Sequence, residues 1–130
     1  MQLANAMTPN PVTVSSHDTL ARAKSLMDTG GFRRLPVVDG GRLVGILTER
    51  DIRGHIGVFE RTRVNAAMRT EVITAIPTDS VENAARLMLK HKIGGLPVTA
   101  GGKIAGIVTM TDIVRAFLRV VRATEQIMEG

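Results

Sequence analysis

The sequence has no cysteine, tryptophan or tyrosine, and only three phenylalanines. Without cysteine it cannot form a disulfide, a thiolate nucleophile or a cysteine-based zinc site. Because aromatic rings are so few, it lacks the stacking platforms of most single-strand nucleic-acid binders. No apolar run approaches the roughly 18 residues of a membrane span, and the N-terminus lacks the basic start and apolar stretch of a secretory signal. We therefore expect a cytoplasmic location and no membrane partner.

The composition is that of a globular chain with a surplus of positive charge. Of its 130 residues, 44% are hydrophobic and 22% are charged, and the formal net charge is +5. The surplus is spread along the chain, which favours solubility and attraction of anions. Binding of duplex nucleic acid is a less favoured alternative on charge alone, and nucleic acid is not expected as a partner.

An internal repeat organises the chain. Residues 7–52 align without a gap with residues 68–113, and 16 of the 46 aligned pairs are identical. A repeat of this length is too small to bury a sufficient core alone, so each copy needs a neighbour. We predict one repeat over residues 7–60, a second over residues 68–121, and a C-terminal helical tail over residues 122–130.

Each repeat begins with the same pattern. Short β-prone stretches at residues 12–14 and 72–74 predict opening strands. Asp18 and Asp79 are expected to cap the helices that follow, and Glu82 would complete a capping box with Asp79. Apolar residues then recur with helical spacing in both copies.

A hairpin and a second helix follow in each repeat. Gly40-Gly41 and Gly101-Gly102 separate pairs of β-prone runs and predict tight turns. A second helix is expected to open at Thr48 and at Thr109. The sequence thus predicts an α+β fold with two β-α-β-β-α repeats packed about a pseudo-twofold axis.

The C-terminal segment, residues 114–128, has a helical pattern of apolar positions separated by arginines. Two interpretations are equally supported: the helix closes the core of its own module, or it forms a contact between subunits.

Both repeats end in the same motif: glycine, two apolar residues, threonine, two variable residues and aspartate. It runs from Gly45 to Asp51 and from Gly106 to Asp112. The glycine permits a close approach to the strand. The first-turn amides and the helix dipole favour an anion, and the hydroxyl and carboxylate beside them suit a sugar. Thr-x-x-Asp is also a variant of the capping box, and taken alone the motif favours capping.

The complete pattern resembles a tandem pair of CBS domains (the cystathionine beta-synthase motif), also called a Bateman module. The resemblance covers residues 7–113 and depends on the Met-x-x-x-x-Val/Ile-Thr start, the Leu-Pro-Val strand and the closing motif, each found twice. It implies a regulatory binding module without catalytic activity. It further implies an adenosyl ligand (AMP, ADP, ATP or S-adenosylmethionine), a homodimer of two such modules, and a separate target protein.

The resemblance also implies two ligand clefts, each combining the motif of one repeat with strands of the other. The first would contain Ile107, Thr109 and Asp112, faced by Val12, Thr13, Arg33, Arg34, Leu35 and Pro36. The second would contain Ile46, Thr48 and Asp51, faced by Ile73, Thr74, Gly94, Gly95, Leu96 and Pro97. The aspartate would hold the ribose hydroxyls in each.

The two clefts differ in charge. Arg33 and Arg34 lie where the family pattern has phosphate-binding residues, whereas the second repeat has Gly94 and Gly95 there. Because arginine pairs bidentately with phosphate, we expect the Asp112 cleft to prefer a phosphorylated ligand. The alternative class of function is an assembly module whose clefts are vestigial.

No catalytic or metal site is expected. The three histidines, at positions 17, 55 and 91, lack metal-ligand spacing. The run Ser15-Ser16-His17-Asp18 contains the residue types of a hydrolytic triad, but local capping explains it better. We therefore expect neither an enzyme nor a catalytic cofactor.

Overall fold

Residues 1–129 are described by the structure, a computed structural model; Gly130, the end of the predicted C-terminal tail, lies outside the described residues. The chain divides into two compact units. The Asp112 unit comprises Met1–Pro9, Ile73–Ala100 and the chain from Ala105, and the Asp51 unit comprises Asn10–Val72 and Gly101–Ile104. The first nine residues thus fold with the second repeat.

Each repeat has the predicted helix, hairpin and second helix in that order. The strands are β1 (Thr8–Pro9), β2 (Arg34–Asp39), β3 (Arg42–Thr48), β4 (Gly95–Ala100) and β5 (Lys103–Thr109). The α-helices are α1 (Leu20–Gly30), α2 (Glu49–Arg53), α3 (Val81–His91) and α4 (Met110–Glu129). Single turns of 3-10 helix lie at Leu3–Asn5, Phe59–Arg61 and Val64–Ala66.

The first predicted opening strand is reduced to a single bridge of Val14 with Val37. The second, predicted over residues 72–74, is wrong, because none of these residues is in a strand and the equivalent bridge lies one residue later, at Ala75 with Val98. The chain leaves the strand direction immediately afterwards, because Asp18 accepts a bond from the Ser15 N–H and Asp79 accepts one from the Ile76 N–H. These two local turns limit each ladder to one residue.

The predicted helix caps are wrong by one residue. Thr19 caps α1 and Ser80 caps α3, each accepting from the N–H three residues later. Asp18 and Asp79 are instead engaged in the preceding turns, so the capping box predicted for Glu82 is not formed; Glu82 pairs with Arg86. Helix α1 ends at a left-handed Gly31, and α3 ends at a left-handed Lys92.

The hairpin predictions are confirmed. In the Asp51 unit, β2 pairs antiparallel with β3, with a bulge between Val37 and Val38. In the Asp112 unit, β5 pairs with β4 and antiparallel with β1. Gly40 and Gly41 both have positive φ, as do Gly101 and Gly102, which matches the type I′ turns of tight hairpins.

Each unit has its own hydrophobic core. In the Asp51 unit the buried residues are Val14, Leu20, Ala23, Met27, Leu35, Val37, Leu47, Ile52 and Val64. In the Asp112 unit they are Leu3, Ala75, Ala84, Met88, Leu96, Val98 and Val108. Leu3 explains why the N-terminal residues belong to the second repeat: its side chain is fully buried there.

The C-terminal segment is continuous with the motif helix, so α4 runs for 20 residues without a break at 121. Only Asp112 and Ala116 of this helix are buried. Phe117 is 64% exposed and Val120 is 54% exposed. Most of the apolar surface of α4 therefore does not close the core, contrary to the first of the two interpretations.

Candidate functional site

The motif of the Asp51 unit forms a capping box where β3 passes into α2. The Thr48 N–H and Oγ1–H donate to Asp51 Oδ2 at 3.0 and 2.8 Å, and the Asp51 N–H donates back to Thr48 Oγ1 at 3.3 Å. The threonine and the aspartate thus hold each other at the first turn of the helix.

The motif of the Asp112 unit has the same geometry where β5 passes into α4. The Thr109 N–H and Oγ1–H donate to Asp112 Oδ2 at 2.9 and 3.1 Å, and the Asp112 N–H donates to Thr109 Oγ1 at 3.4 Å. The capping interpretation of the motif is therefore confirmed in both copies. It uses one carboxylate oxygen and leaves Oδ1 for other partners.

The Oδ1 atoms have different partners in the two units. Asp51 Oδ1 accepts from Arg69 Nε at 3.2 Å. Asp112 Oδ1 accepts from Thr8 Oγ1 at 3.1 Å and from an Arg115 guanidinium nitrogen at 3.4 Å. The carboxylates are deep, with side chains 9% and 2% exposed, whereas the two arginines are 61% and 58% exposed.

The motif glycines are explained by the chain's own backbone. A Cβ on Gly45 would lie 2.8 Å from the Arg69 carbonyl oxygen, and a Cβ on Gly106 would lie 2.8 Å from the Thr8 carbonyl oxygen. These contacts arise because Arg69 bridges Ile46 and β1 pairs with β5. The close approach expected at each glycine is therefore made by the chain itself, by Arg69 at Gly45 and by Thr8 at Gly106.

Thr8 and Arg69 are site residues that the sequence analysis missed. They follow Met7 and Met68, the first aligned residues of the repeats, and are related by the 61-residue offset. The offset marks them as equivalent positions, but nothing in their identities signals a shared partner, since one is a hydroxyl and the other a cation.

Arg33 and Arg34 lie at the start of β2 in the Asp51 unit. Arg33 is exposed and Arg34 is half-buried. Burial, together with the neighbouring positive charge of Arg33, lowers the pKa of the Arg34 guanidinium. Two adjacent positive charges, one of them half-buried, favour the binding of an anion whose negative charge would pair with both.

The remaining expected residues are divided by unit. Val12, Thr13, Leu35, Pro36 and Ile46 lie in the Asp51 unit, and Ile73, Thr74, Gly94, Gly95, Leu96, Pro97 and Ile107 lie in the Asp112 unit. Leu35 and Leu96 are core residues, 1% and 0% exposed. Their side chains are committed to packing, which leaves only their backbone for a ligand.

The serines before α1 serve a different structure. Ser16 Oγ–H donates to Asp39 Oδ2 at 2.5 Å, while the Ser16 N–H and Ser15 Oγ–H donate to Oδ1 at 3.0 and 2.9 Å. These bonds, the Ser16 hydroxyl first, lower the pKa of the Asp39 carboxyl. The cluster ties the residues before α1 to the end of β2.

Comparison with known proteins identifies the family. The family model of the CBS domain matches residues 3–58 and again residues 64–119.

The chain belongs to the CBS-domain family.

The chain is similar to several proteins that are described as CBS-domain proteins. It is 36% identical, over 84% of its length and 80% of the relative's, to the CBS domain-containing protein YhcV of Bacillus subtilis. The CBS domain pair of protein MJ0100, solved with 5′-methylthioadenosine and S-adenosyl-L-methionine, is 31% identical with a TM-score of 0.82, over 90% of this chain and 95% of that one. CBSX2, solved with AMP and known from Arabidopsis thaliana, is 28% identical with a TM-score of 0.82, over 92% and 97%.

The resemblance stated from the sequence and the α+β fold of a CBS-domain pair are therefore confirmed. The repeat boundaries at 7–60 and 68–121 stay predictions.

Several other curated relatives are longer, and this chain spans between 23% and 45% of their length. Within residues 1–129, no helix is long and apolar enough to cross a membrane.

Proposed function

We propose that this CBS-domain pair is a regulatory module that binds an adenosyl ligand and acts on a separate partner protein, without catalytic activity of its own. The observation that supports it most is the likeness to two solved pairs that hold AMP, and 5′-methylthioadenosine with S-adenosylmethionine. Ligand binding would regulate a partner only if two states of the module differ in affinity for the ligand. A cytoplasmic location remains part of this proposal.

The residues implied by the resemblance form the proposed binding set, with one motif aspartate at each ribose. Each motif supplies a threonine hydroxyl and a carboxylate held in fixed geometry by the capping bonds. In the present geometry Oδ2 serves the cap, so Oδ1 is the atom that a ribose hydroxyl would reach. A ligand would have to replace the side chains now bonded to Oδ1.

Arg33 and Arg34 are the reason to expect unequal sites. The half-buried Arg34 beside Arg33 offers a phosphate two guanidinium groups, and the equivalent Gly94 and Gly95 offer none. We propose that binding of the phosphorylated ligand depends on Asp112 more than on Asp51, because the family resemblance assigns these arginines to the cleft of Asp112.

Isothermal titration with AMP, ATP and S-adenosylmethionine tests the proposal. Asp112→Ala is expected to weaken AMP binding more than Asp51→Ala, and Asp28→Ala, which changes an exposed carboxylate of α1, is the control. If Asp51→Ala abolishes binding and Asp112→Ala has no effect, the assignment of sites is wrong.

A second candidate function is an assembly module with vestigial sites. It is favoured by one observation: both motif carboxylates already accept bonds from their own helix start. Thermal unfolding separates the two. A ligand at about 100 times its Kd should raise the unfolding free energy by roughly 2.7 kcal/mol, whereas a module with vestigial sites shows no shift with any adenosyl compound.

We further propose that two copies of this chain pair through α4. The support is the row Met110, Val114 and Leu118, which are 47%, 50% and 48% exposed on one side of the helix. With Thr111 and Arg115 they line a groove of about 400 Å³. Apolar side chains in such a row are stabilised when a partner covers them.

A further inference from the structure

Each unit places one arginine on the Oδ1 atom of its motif aspartate. Arg69 does so in the Asp51 unit at 3.2 Å, and Arg115 does so in the Asp112 unit at 3.4 Å. The arginines come from different positions of the repeat, because the 61-residue offset relates Arg69 to Thr8 and Arg115 to Gly54. Neither pair is therefore a copy of the other.

Both arginines are accessible at the surface. Their side chains are 61% and 58% exposed, whereas those of Asp51 and Asp112 are 9% and 2% exposed, so each guanidinium group can turn from its aspartate to another anion without becoming buried. Among the described residues, Arg69 donates a side-chain hydrogen bond to Asp51 through Nε, and a guanidinium group has further N–H donors beyond that one. Those donors suit a carboxylate or a phosphate.

We propose that Arg69 and Arg115 bind the oxyanion of an adenosyl ligand, either a nucleotide phosphate or the carboxylate of S-adenosylmethionine. This inference rests on the proposed function. When the ribose hydroxyls donate to Oδ1, each arginine leaves the aspartate and pairs with the oxyanion of the same ligand. The ligand thus replaces the carboxylate as the partner of the arginine, and the site prefers adenosyl compounds that carry an oxyanion over those that lack one.

The experiment compares ligands that differ in the oxyanion. Wild type, Arg69→Gln, Arg115→Gln and the double variant are titrated with AMP against adenosine, and with S-adenosylmethionine against 5′-methylthioadenosine. The preference is the ratio of the two Kd values in each pair of ligands. It is expected to fall about tenfold or more in each single variant whose arginine lies at a site that binds the ligand. Affinity for the neutral ligand is expected to stay or rise, since a competitor for Oδ1 has been removed.

Two further variants keep the test sharp. Arg69→Lys retains the charge without the fork and should keep part of the preference, which separates ligand binding from loss of folding. Arg22→Gln and Arg86→Gln remove exposed ion pairs of α1 and α3, and should leave the preference at its wild-type value. A fall confined to the AMP pair identifies phosphate as the oxyanion, and a fall confined to the S-adenosylmethionine pair identifies carboxylate.

An unchanged preference in the double variant would overturn the inference and leave the proposed function intact. Wild-type protein that binds none of the four ligands would instead overturn the proposed function, and the inference with it.

Discussion

Thr8 and Arg69 occupy the same position of the two repeats, and each donates a side-chain hydrogen bond to the motif aspartate of its own unit. The backbone accounts for this equivalence: Thr8 pairs with Ile107, and Arg69 pairs with Ile46, the matching residue of the other motif strand. The position is shared, but the chemistry is not, since one donor is neutral and the other is a cation.

The hydroxyl of Thr8 should stabilise the Asp112 unit. Replacing it in Thr8→Val removes the 3.1 Å bond to a carboxylate that is 2% exposed, and a lost hydrogen bond to a charged group costs about 1.5–3 kcal/mol. Urea unfolding monitored by circular dichroism measures the change. Thr78→Val, at an exposed threonine of the same unit, is the control; an equal loss there would assign the effect to threonine substitution in general.

The motif glycines should be intolerant of even one methyl group. In Gly106→Ala the added carbon would lie 2.7 Å from Met7 Sδ and 2.8 Å from the Thr8 carbonyl, and overpacking of this kind costs about 1–3 kcal/mol. Gly54→Ala is the matched control, because its Cβ meets nothing nearer than 3.8 Å and its φ is −68°. Thermal unfolding should rank the two clearly, and a Gly106→Ala protein as stable as Gly54→Ala would refute the close approach.

Local signals in the sequence predict most of the fold. The turns at Gly40-Gly41 and Gly101-Gly102 need positive φ, which glycine adopts without strain, so their places follow from the sequence. The cap of α1 was predicted one residue too early because aspartate and threonine, at positions 18 and 19, are both residue types that favour the N-cap position. The choice between them depends on the Ser15 turn, which no periodicity reveals.

The site was predicted only in part, because its other half comes from distant residues. The Thr-x-x-Asp geometry is local and follows from helix capping. The partners of Oδ1 depend on tertiary pairing: Thr8 lies 104 residues from Asp112 in the chain, and Arg69 lies 18 residues from Asp51. Single-sequence patterns carry no information on such pairs.

Asp39 should make the Asp51 unit sensitive to acid. Its carboxyl pKa is lowered from 3.8 in the folded protein by the Ser16 and Ser15 bonds, so the folded state binds its proton less readily than the unfolded chain does. The resulting stability is present in full above the unfolded pKa and is lost as the pH falls through the folded pKa. Asp39→Asn should therefore show a shallower loss of unfolding free energy below about pH 4 than wild type.

Urea unfolding between pH 7 and pH 2.5 measures this difference. Ser16→Ala provides the second variant, because removing the main hydroxyl donor should bring the Asp39 pKa back toward its ordinary value and flatten the same part of the curve. Acid curves of Asp39→Asn and wild type that run parallel would show that the Ser16 cluster does not contribute.

Pairing through α4 predicts a variant that separates the copies. Leu118→Arg places a charge in the groove formed with Met110 and Val114, and burying an unpaired charge against a second copy is strongly unfavourable. The variant should therefore sediment as a monomer at concentrations where wild type is dimeric, with an unchanged circular dichroism spectrum. Gln126→Arg adds the same charge at an exposed polar position of α4 and should remain dimeric. A monomeric wild type, or dissociation by both substitutions alike, would argue against this surface.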